Sequence, residues 1–248
     1  MSVLTTALVI GANRGIGLAM TRALLDDPAM TRIMATYRSA DSVEALAGID
    51  DSRLRLFRLE ATDQGSIEQV ATAIESAGVS PELVIHCAGI LHENGVQPEK
   101  SLRQCEADAL QRLFAVNSIA PLMMARALIP LMPKRQAAHF AVLSAMVGSI
   151  GDNRLGGWYG YRASKAALNQ FMRTLAIECR RTHPELCVTA IHPGTTDTGL
   201  SRPFQANVEP GKLYSVEQTA ARVLKVVCAG SPMDSGRFVN WDGSNIPW

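Results

Sequence analysis

Short apolar runs, many of them rich in β-branched residues, recur along the chain between longer stretches of mixed polarity. Runs of this length, bounded by turn-forming residues, are typical of buried strands. The pattern predicts seven strands, over residues 6–10, 32–37, 53–59, 82–87, 139–144, 187–192 and 237–241.

Between the first six runs, apolar positions recur with the period of an amphipathic helix, for example over residues 16–25, 66–77 and 161–181. Alternating strands and helices predict a parallel sheet that is covered on both faces. We therefore expect an α/β protein with a doubly wound, mostly parallel central sheet flanked by helices. The third run alternates Arg53, Arg55 and Arg58 with apolar residues, which indicates a strand near the sheet edge.

The chain shows no internal repeat, low-complexity linker or block of charge, and its 248 residues suit one α/β domain. We expect a single domain over residues 1–248. The longest stretch without clear periodicity covers residues 194–212, and a loop of that length in a compact domain usually has a function. With Gly194, Gly199 and Gly211 as hinges, we predict that it closes as a lid over a substrate.

Charge and apolar content argue against several kinds of partner. The formal net charge is +1 with both signs scattered, which offers no basic footprint for nucleic acid or an anionic membrane. The apolar tract 118–133 contains Pro121, Arg126 and Pro130, so it predicts a core helix rather than a membrane span. The apolar opening lacks the basic start and cleavage site of a signal peptide, and we interpret it as a buried strand.

The cysteines and histidines indicate neither disulfides nor a metal site. Five cysteines are an odd number without CxxC spacing, which favours a reducing cytoplasm. The histidines lack the mutual spacing of metal ligands, so no metal is predicted. We expect packed or solvated imidazoles at His92, His139, His183 and His192.

The first predicted strand runs directly into GANRGIG, with Gly11, Gly15 and Gly17, and a helix follows. Residues without a Cβ allow a pyrophosphate to approach, and the helix start offers free N–H groups and partial positive charge. A dinucleotide site is therefore predicted. A tight strand-to-helix turn without a ligand is the alternative at this point.

The end of the second strand bears on which dinucleotide would bind. An acidic residue there would accept from a ribose 2′-hydroxyl and select NAD, but the chain has Tyr37 and Arg38. Together with Arg14 in the glycine loop, Arg38 could bind a 2′-phosphate, so NADP(H) is favoured over NAD(H). The alternative is that Arg38 stacks on the adenine while Arg14 is solvated.

Two tyrosines and a lysine stand in the stretch GGWYGYRASKAAL. Tyr161 and Lys165 are four residues apart and share one face of a helix, whereas Tyr159 precedes Lys165 by six residues. The neighbouring glycines suggest that the helix has not begun at Tyr159. Tyr161 is therefore the tyrosine that helix geometry can hold beside the lysine, although a surface Tyr–Lys pair has the same spacing.

With these motifs in order, the chain resembles the short-chain dehydrogenase/reductase family in its short form, over essentially its whole length. The likeness also rests on HCAG at residues 86–89, VNSIAP around Asn117, VLSAMVGS around Ser144, and HPGTTDTG at residues 192–199. The resemblance implies a Rossmann fold. Two departures are Ile10, where the family often has threonine, and the HCAG turn, which usually begins with asparagine.

The resemblance implies a role for each matching residue. Tyr161 would be the proton donor, Lys165 would favour its ionised form against the effect of burial, and Ser144 would hold the carbonyl oxygen. Asn117 would open the central helix and hold a water that links Lys165 to solvent. The implied cofactor-binding residues are Gly11, Asn13, Arg14, Gly15, Ile16, Gly17, Tyr37, Arg38, Ala88, Gly89, Tyr161, Lys165, Pro193, Gly194 and Thr196.

Within the family, the chain looks most like the C-factor and carbonyl-reductase-like branch. This implies an NADP(H)-dependent reductase of small carbonyl compounds, or a dehydrogenase of the matching alcohols, as a homodimer or homotetramer. A nucleotide-binding signalling or scaffold protein with little turnover is the alternative, although a binder needs none of Ser144, Tyr161 and Lys165. A sugar-nucleotide epimerase would require a larger carboxy-terminal domain than the residues after Gly194 provide.

Overall fold

The computed structural model describes residues 4–93 and 95–248. Strands form at the predicted places, and the first two have the predicted bounds. Within the described residues there are nine strands: β1 Thr6–Ile10, β2 Arg32–Tyr37, β3 Leu54–Arg58, β4 Leu83–His86, β5 Ala138–Leu143, β6 Leu186–His192, β7 Thr195–Thr196, β8 Leu213–Tyr214 and β9 Arg237–Asn240.

Helices connect the strands and lie on both faces of the sheet. The α-helices are α1 Gly15–Leu25, α2 Glu44–Ala47, α3 Gln64–Ser76, α4 Ala107–Phe114, α5 Ala120–Leu128, α6 Tyr159–Thr182 and α7 Val216–Cys228. Short 3₁₀ segments occur at Ala40–Ser42, Leu102–Gln104, Ile129–Leu131, Met146–Gly148, Arg202–Asn207 and Pro232–Asp234.

The central sheet has seven strands in the order β3-β2-β1-β4-β5-β6-β9, and every adjacent pair is parallel. The predicted doubly wound α/β fold is thereby confirmed, as is the edge position of the third strand. Strand order reverses between β1 and β4, so the loops after these two strands border a crevice at the carboxyl edge of the sheet. Open α/β sheets bind ligands in such a crevice.

Two buried layers of apolar side chains hold the helices on the sheet. One layer packs α3, α5 and α6 against residues such as Leu8, Val84 and Phe140. The other packs α1 and α7 against the opposite face, through residues such as Val9 and Ile191. Alternate residues of one strand enter opposite layers, which explains why the strands are apolar at nearly every position.

The predicted core helix at 118–133 is part of a longer helical segment, Ala107–Leu131, which includes a π-helical turn at Ala115–Ile119. This segment is long and apolar enough to cross a membrane, but 56% of its most apolar window is buried inside the protein. It packs against α3 and α6. Its apolar character therefore serves the core of the domain.

The start of α6 differs from the prediction, because the helix begins at Tyr159 rather than after it. Trp158 adopts a left-handed conformation with φ 52° and caps the helix, and its N–H donates to the Glu99 carbonyl. The buried Glu99 carboxylate accepts from the N–H of Gly160 at 3.2 Å. This contact from a distant part of the chain stabilises a helix start before Gly160, although glycine has a low helix propensity.

Candidate active site

The loop after β1 is shaped by its glycines. Gly11 and Gly15 have φ values of +77° and +54°, a region that side-chain-bearing residues rarely adopt. A Cβ on Gly17 would lie 2.2 Å from the Gly11 carbonyl oxygen, so only glycine lets α1 begin this close to the strand. The first turn of α1 therefore begins at the crevice, where its backbone N–H groups can face an anion such as a dinucleotide pyrophosphate.

Neighbouring strands fix the position of Gly11. Its N–H donates to the Thr36 hydroxyl at 3.0 Å, and a Cβ on Gly11 would lie 2.9 Å from the Ala88 nitrogen. Ile10, which stands where the family often has threonine, has no hydroxyl. Thr36 supplies a hydroxyl beneath the loop from the neighbouring strand. The glycine loop and the HCAG turn are in contact across the crevice.

Arginines lie around the end of β2, where no acidic residue follows Tyr37 directly. Arg38 is exposed, and its carbonyl accepts from Arg58 Nε at 3.4 Å. Arg14 is also exposed, and its Nη1 lies 3.6 Å from the place that a Cβ on Gly199 would occupy. Among the residues described, these arginines form no ion pairs, so their charges are available to an anion.

The structure places Tyr161 and Lys165 on one buried face of α6. Tyr161 is 7% exposed and Lys165 is 4% exposed. Lys165 Nζ lies 5.8 Å from the centre of the Tyr161 ring and donates to the Leu143 carbonyl at 2.8 Å. Tyr159 is 45% exposed, so its side chain faces solvent and not this site.

Burial shifts both groups toward their neutral forms. It lowers the pKa of Lys165 to about 8, and it raises the pKa of the Tyr161 phenol above its ordinary value. The sequence argument expects nearby cations to outweigh burial at the phenol. In the protein chain itself burial dominates, because Tyr161 belongs to an apolar cluster with Leu91 and Leu113.

Asn117 connects the loop after β4 to α6. Its amide donates to the Ile90 carbonyl and accepts from the Ile90 N–H, both at 2.8 Å, and also donates to the Ser164 hydroxyl at 3.1 Å. It lies in the π-helical turn rather than at the start of a helix. A Cβ on Gly89 would lie 3.3 Å from Asn117 Oδ1 and 3.5 Å from Lys165 Nζ, so Gly89 keeps this corner open.

Ser144 follows β5 directly and faces α6. Its hydroxyl donates to Asn169 Oδ1 at 2.6 Å, and both side chains are buried. Its N–H donates to the Ile191 carbonyl at 2.7 Å, which fixes the end of β5 on β6. Lys165 binds the carbonyl of the preceding residue, Leu143, so Ser144 lies against the same buried face of α6 that carries Tyr161 and Lys165.

The turn after β6 is held by aromatic side chains. Gly194 has φ +82°, and a Cβ there would lie 3.0 Å from both Trp241 and Tyr214. Thr196 is buried, and its hydroxyl hydrogen-bonds to Thr219 on α7 at 2.8 Å. The Thr196 side chain is thus turned into the protein, while Pro193 and Gly194 are half-buried.

Part of the predicted loop 194–212 is ordered as the β7 strand and a 3₁₀ segment, and it lies over the Tyr161 corner. Phe204 lies 5.1 Å from Trp158 and 5.8 Å from His92 between ring centres. Trp158 in turn lies 6.2 Å from Tyr161. His92 Nε2 is 3.1 Å from the Gly199 carbonyl. Aromatic side chains therefore wall the space above Tyr161.

Other histidines lie behind the site. His86 ends β4 and is buried, and burial together with the Lys165 charge lowers its pKa to about 3. Burial likewise lowers the pKa of His192 to about 4. Both imidazoles are therefore neutral at ordinary pH. No group of three His, Cys, Asp or Glu side chains suited to a metal occurs in the part of the chain that the structure describes.

Sequence reasoning missed Thr36, Ser164 and Thr198. Thr36 lies opposite the glycine loop in the second strand, and Ser164 donates to the Tyr161 carbonyl at 2.8 Å while it accepts from Asn117. Thr198 is 3.3 Å from the place that a Cβ on Gly15 would occupy. A hydroxyl just before the lysine of YRASK was the available signal for Ser164, whereas the other two depend on the packing of distant segments.

Known proteins resemble this chain in sequence and in fold. The family model described as short chain dehydrogenase matches residues 5–209. The chain is 30% identical over 247 residues to the 1-hydroxy-2-glutathionyl-2-methyl-3-butene dehydrogenase of Rhodococcus sp. strain AD45, covering 99% of this chain and 100% of that one. It is also 31% identical to the C-signal of Myxococcus xanthus over 140 residues, covering 56% of this chain and 78% of that protein.

Among solved structures, the NADPH-bound carbonyl reductase from chicken fatty liver superposes with a TM-score of 0.87 at 29% identity, and the match covers all of both chains. Carbonyl reductases and the C-signal are thus both similar to this chain, as the motifs predict. On the family model and the full-length relative together, the chain belongs to the short-chain dehydrogenase family.

Proposed function

We propose that this oxidoreductase uses NADP(H) to reduce a carbonyl group of a small molecule to an alcohol, or to catalyse the reverse reaction. The observation that carries the proposal is the buried pair of Tyr161 and Lys165 on one face of α6, with Ser144 at the same corner. Hydride addition to a carbonyl carbon places negative charge on oxygen, and this corner offers a hydroxyl donor and a cation for that charge.

The residues at the crevice fit a dinucleotide. The backbone of Gly11–Gly17 would hold the pyrophosphate, and Gly89 keeps open the space beside Lys165. Ala88, Pro193 and Gly194 would line the rest of the cofactor site. Arg14 and Arg38 would bind a 2′-phosphate, which favours NADP(H), and NADPH is bound in the chicken reductase. When bound, the cofactor would supply or accept the hydride.

The chain's own residues would manage the proton. Tyr161 would donate to the carbonyl oxygen, and Lys165, with its pKa lowered to about 8 by burial, can exchange a proton near neutral pH. Because burial raises the pKa of Tyr161, formation of phenolate would depend on the Lys165 ammonium and the charge of the oxidised cofactor together. Ser144 would orient the carbonyl.

Turnover on a panel of aldehydes and ketones, followed by NADPH absorbance, tests the proposal. We expect reduction of part of the panel by the parent protein and its loss in Tyr161→Phe. A parent that binds NADPH and reduces nothing on a broad panel would favour a signalling or scaffold role instead. The C-signal match favours that alternative, but such a role does not explain the buried Ser144, Tyr161 and Lys165 arrangement.

We extend the proposal to the setting in which the protein acts. Five free cysteines suit a reducing cytoplasm. Two apolar side chains are exposed near the long helical segment: Ile119 within it is 47% exposed, and Leu102 before it is 72% exposed. Their exposure supports association into a homodimer or homotetramer. Sedimentation analysis would show a single monomeric species if this part of the proposal is wrong.

A further inference from the structure

Three polar side chains follow one face of α6 at successive turns. Tyr161, Lys165 and Asn169 are spaced four residues apart, and all are buried. Lys165 binds the Leu143 carbonyl, and Asn169 binds the hydroxyl of the next residue, Ser144. Two turns of the helix therefore hold two consecutive residues at the end of β5.

The bond between Ser144 and Asn169 limits where the serine proton can go. A serine hydroxyl has one proton, and here it is donated to Asn169 Oδ1 at 2.6 Å. In the proposed reaction, Ser144 must instead donate this hydrogen bond to the carbonyl oxygen of the substrate and keep its proton, while Tyr161 transfers the proton that completes the alcohol. While Asn169 accepts the serine hydrogen bond, Ser144 presents only lone pairs to the substrate oxygen, and two acceptors repel each other.

An asparagine can remove this conflict because its amide carries both an acceptor and a donor. If the amide turned over, Nδ2 would donate to Ser144 Oγ, and the serine proton would be released toward the substrate. Asn169 Nδ2 has only a long contact of 3.5 Å with the Gly148 carbonyl to give up. Asn169 is 2% exposed, so water does not readily take its place as the partner of Ser144.

We propose that Asn169 is a positioning residue that sets the direction of the Ser144 proton, accepting it in the resting site and donating to the serine when a carbonyl compound binds. Asn169 acts only through Ser144 and does not touch the substrate. The inference rests on the proposed carbonyl reduction, and it concerns a residue outside the tyrosine, lysine and serine that this reaction uses directly.

A double-mutant cycle tests the inference. Asn169→Leu has a similar size but no polar atoms, and Asn169→Asp keeps the acceptor without the donor. Each is expected to lower kcat about tenfold, which corresponds to about 1.4 kcal/mol, with a smaller change in KM. In a Ser144→Ala background, Asn169→Leu should lower kcat no further, because the group through which it acts is absent.

Controls separate positioning from a structural role. NADPH affinity and the thermal midpoint show whether each variant is folded, and Gln170→Leu, on the exposed side of the same helix, should leave kcat unchanged. If Asn169→Leu lowers kcat by the same factor with and without Ser144, or if Asn169→Asp retains parental kcat, the inference is overturned. A parent without carbonyl reductase activity contradicts the proposed function, whereas additive effects in an active parent contradict only the role of Asn169.

Discussion

The Lys165 ammonium lies 5.8 Å from the centre of the Tyr161 ring, one helical turn away, and is held there by the Leu143 carbonyl. The two side chains therefore share one buried corner, while the lysine is fixed by the strand and not by the phenol. This arrangement lets the ammonium act on the phenol through space, without donating a hydrogen bond to the phenol oxygen.

Replacing Tyr161 should lower kcat, whereas replacing Tyr159 should not. Tyr161→Phe removes one hydroxyl without opening a large cavity, so we expect NADPH affinity to survive while kcat falls by about 10²- to 10⁴-fold. Tyr159→Phe deletes the same atom from an exposed side chain and should leave kcat near the parental value. Parental kcat in Tyr161→Phe, on a substrate that the parent reduces, would remove Tyr161 from the mechanism.

Lys165→Ala should both lower activity and change its pH dependence. Without the ammonium, burial alone acts on Tyr161 and raises the pKa of the phenol further. The acidic limb of the pH profile for alcohol oxidation should therefore move to higher pH. An unchanged limb would mean that Lys165 does not act on the ionisation of the tyrosine. Because the variant also leaves the Leu143 carbonyl without its partner, stability should be measured in parallel.

Cofactor preference should depend on the arginines at the end of β2. We expect NADPH to bind at least about tenfold more tightly than NADH, and Arg38→Asp should erase or reverse that difference by repelling the 2′-phosphate. Arg55→Asp is a matched control, because it makes the same charge change at an exposed position near the start of β3. Fluorescence titration of the parent and both variants with each cofactor measures the six affinities, and equal affinities in the parent would contradict the preference.

Much of the fold could be predicted because its signals are local. β1 and β2 are apolar runs bounded by turns, and their ends fall at the predicted residues. The start of α6 could not be predicted in the same way, since Glu99 caps it from a distant part of the chain. Local glycines favoured a later start, and a tertiary contact outweighed that preference.

The site shows the same division between local and distant signals. The shared face of Tyr161 and Lys165 follows from helix period alone, and the structure places both there. The partner of Ser144 could not be found this way, because Asn169 reaches it only once α6 packs on β5. Thr36 was missed for a similar reason, since its hydroxyl supports Gly11 from the neighbouring strand.

The buried His86 should make the protein sensitive to acid. Its pKa is about 3 in the folded protein against an ordinary value of 6.5, so its stabilising contribution is complete above pH 6.5 and is lost as the pH falls toward 3. Between pH 7 and pH 5, the parent should lose about 2 kcal/mol of unfolding free energy from this group.

His86→Asn removes that titration, so its unfolding free energy should fall less over the same interval. His192, which also has a lowered pKa, is present in both proteins, and its contribution cancels in the comparison. Denaturant unfolding at the two pH values provides the measurement. Equal losses in parent and variant would show that His86 does not set the acid sensitivity.

The segment 194–212 should become more protected when ligands bind. Phe204 packs on Trp158, and His92 contacts the Gly199 carbonyl, so this segment already lies near the Tyr161 corner. Closure over a substrate would add apolar contacts and exclude water from the reacting groups. Hydrogen exchange should therefore slow across the segment with NADPH and a substrate analogue, and less with NADPH alone.

Phe204→Ala should weaken that protection and raise KM more than it lowers kcat. Met233→Ala, at a position that is 94% exposed and outside the segment, should change neither the protection nor the kinetics. Identical exchange throughout residues 194–212 with and without both ligands would rule out a lid.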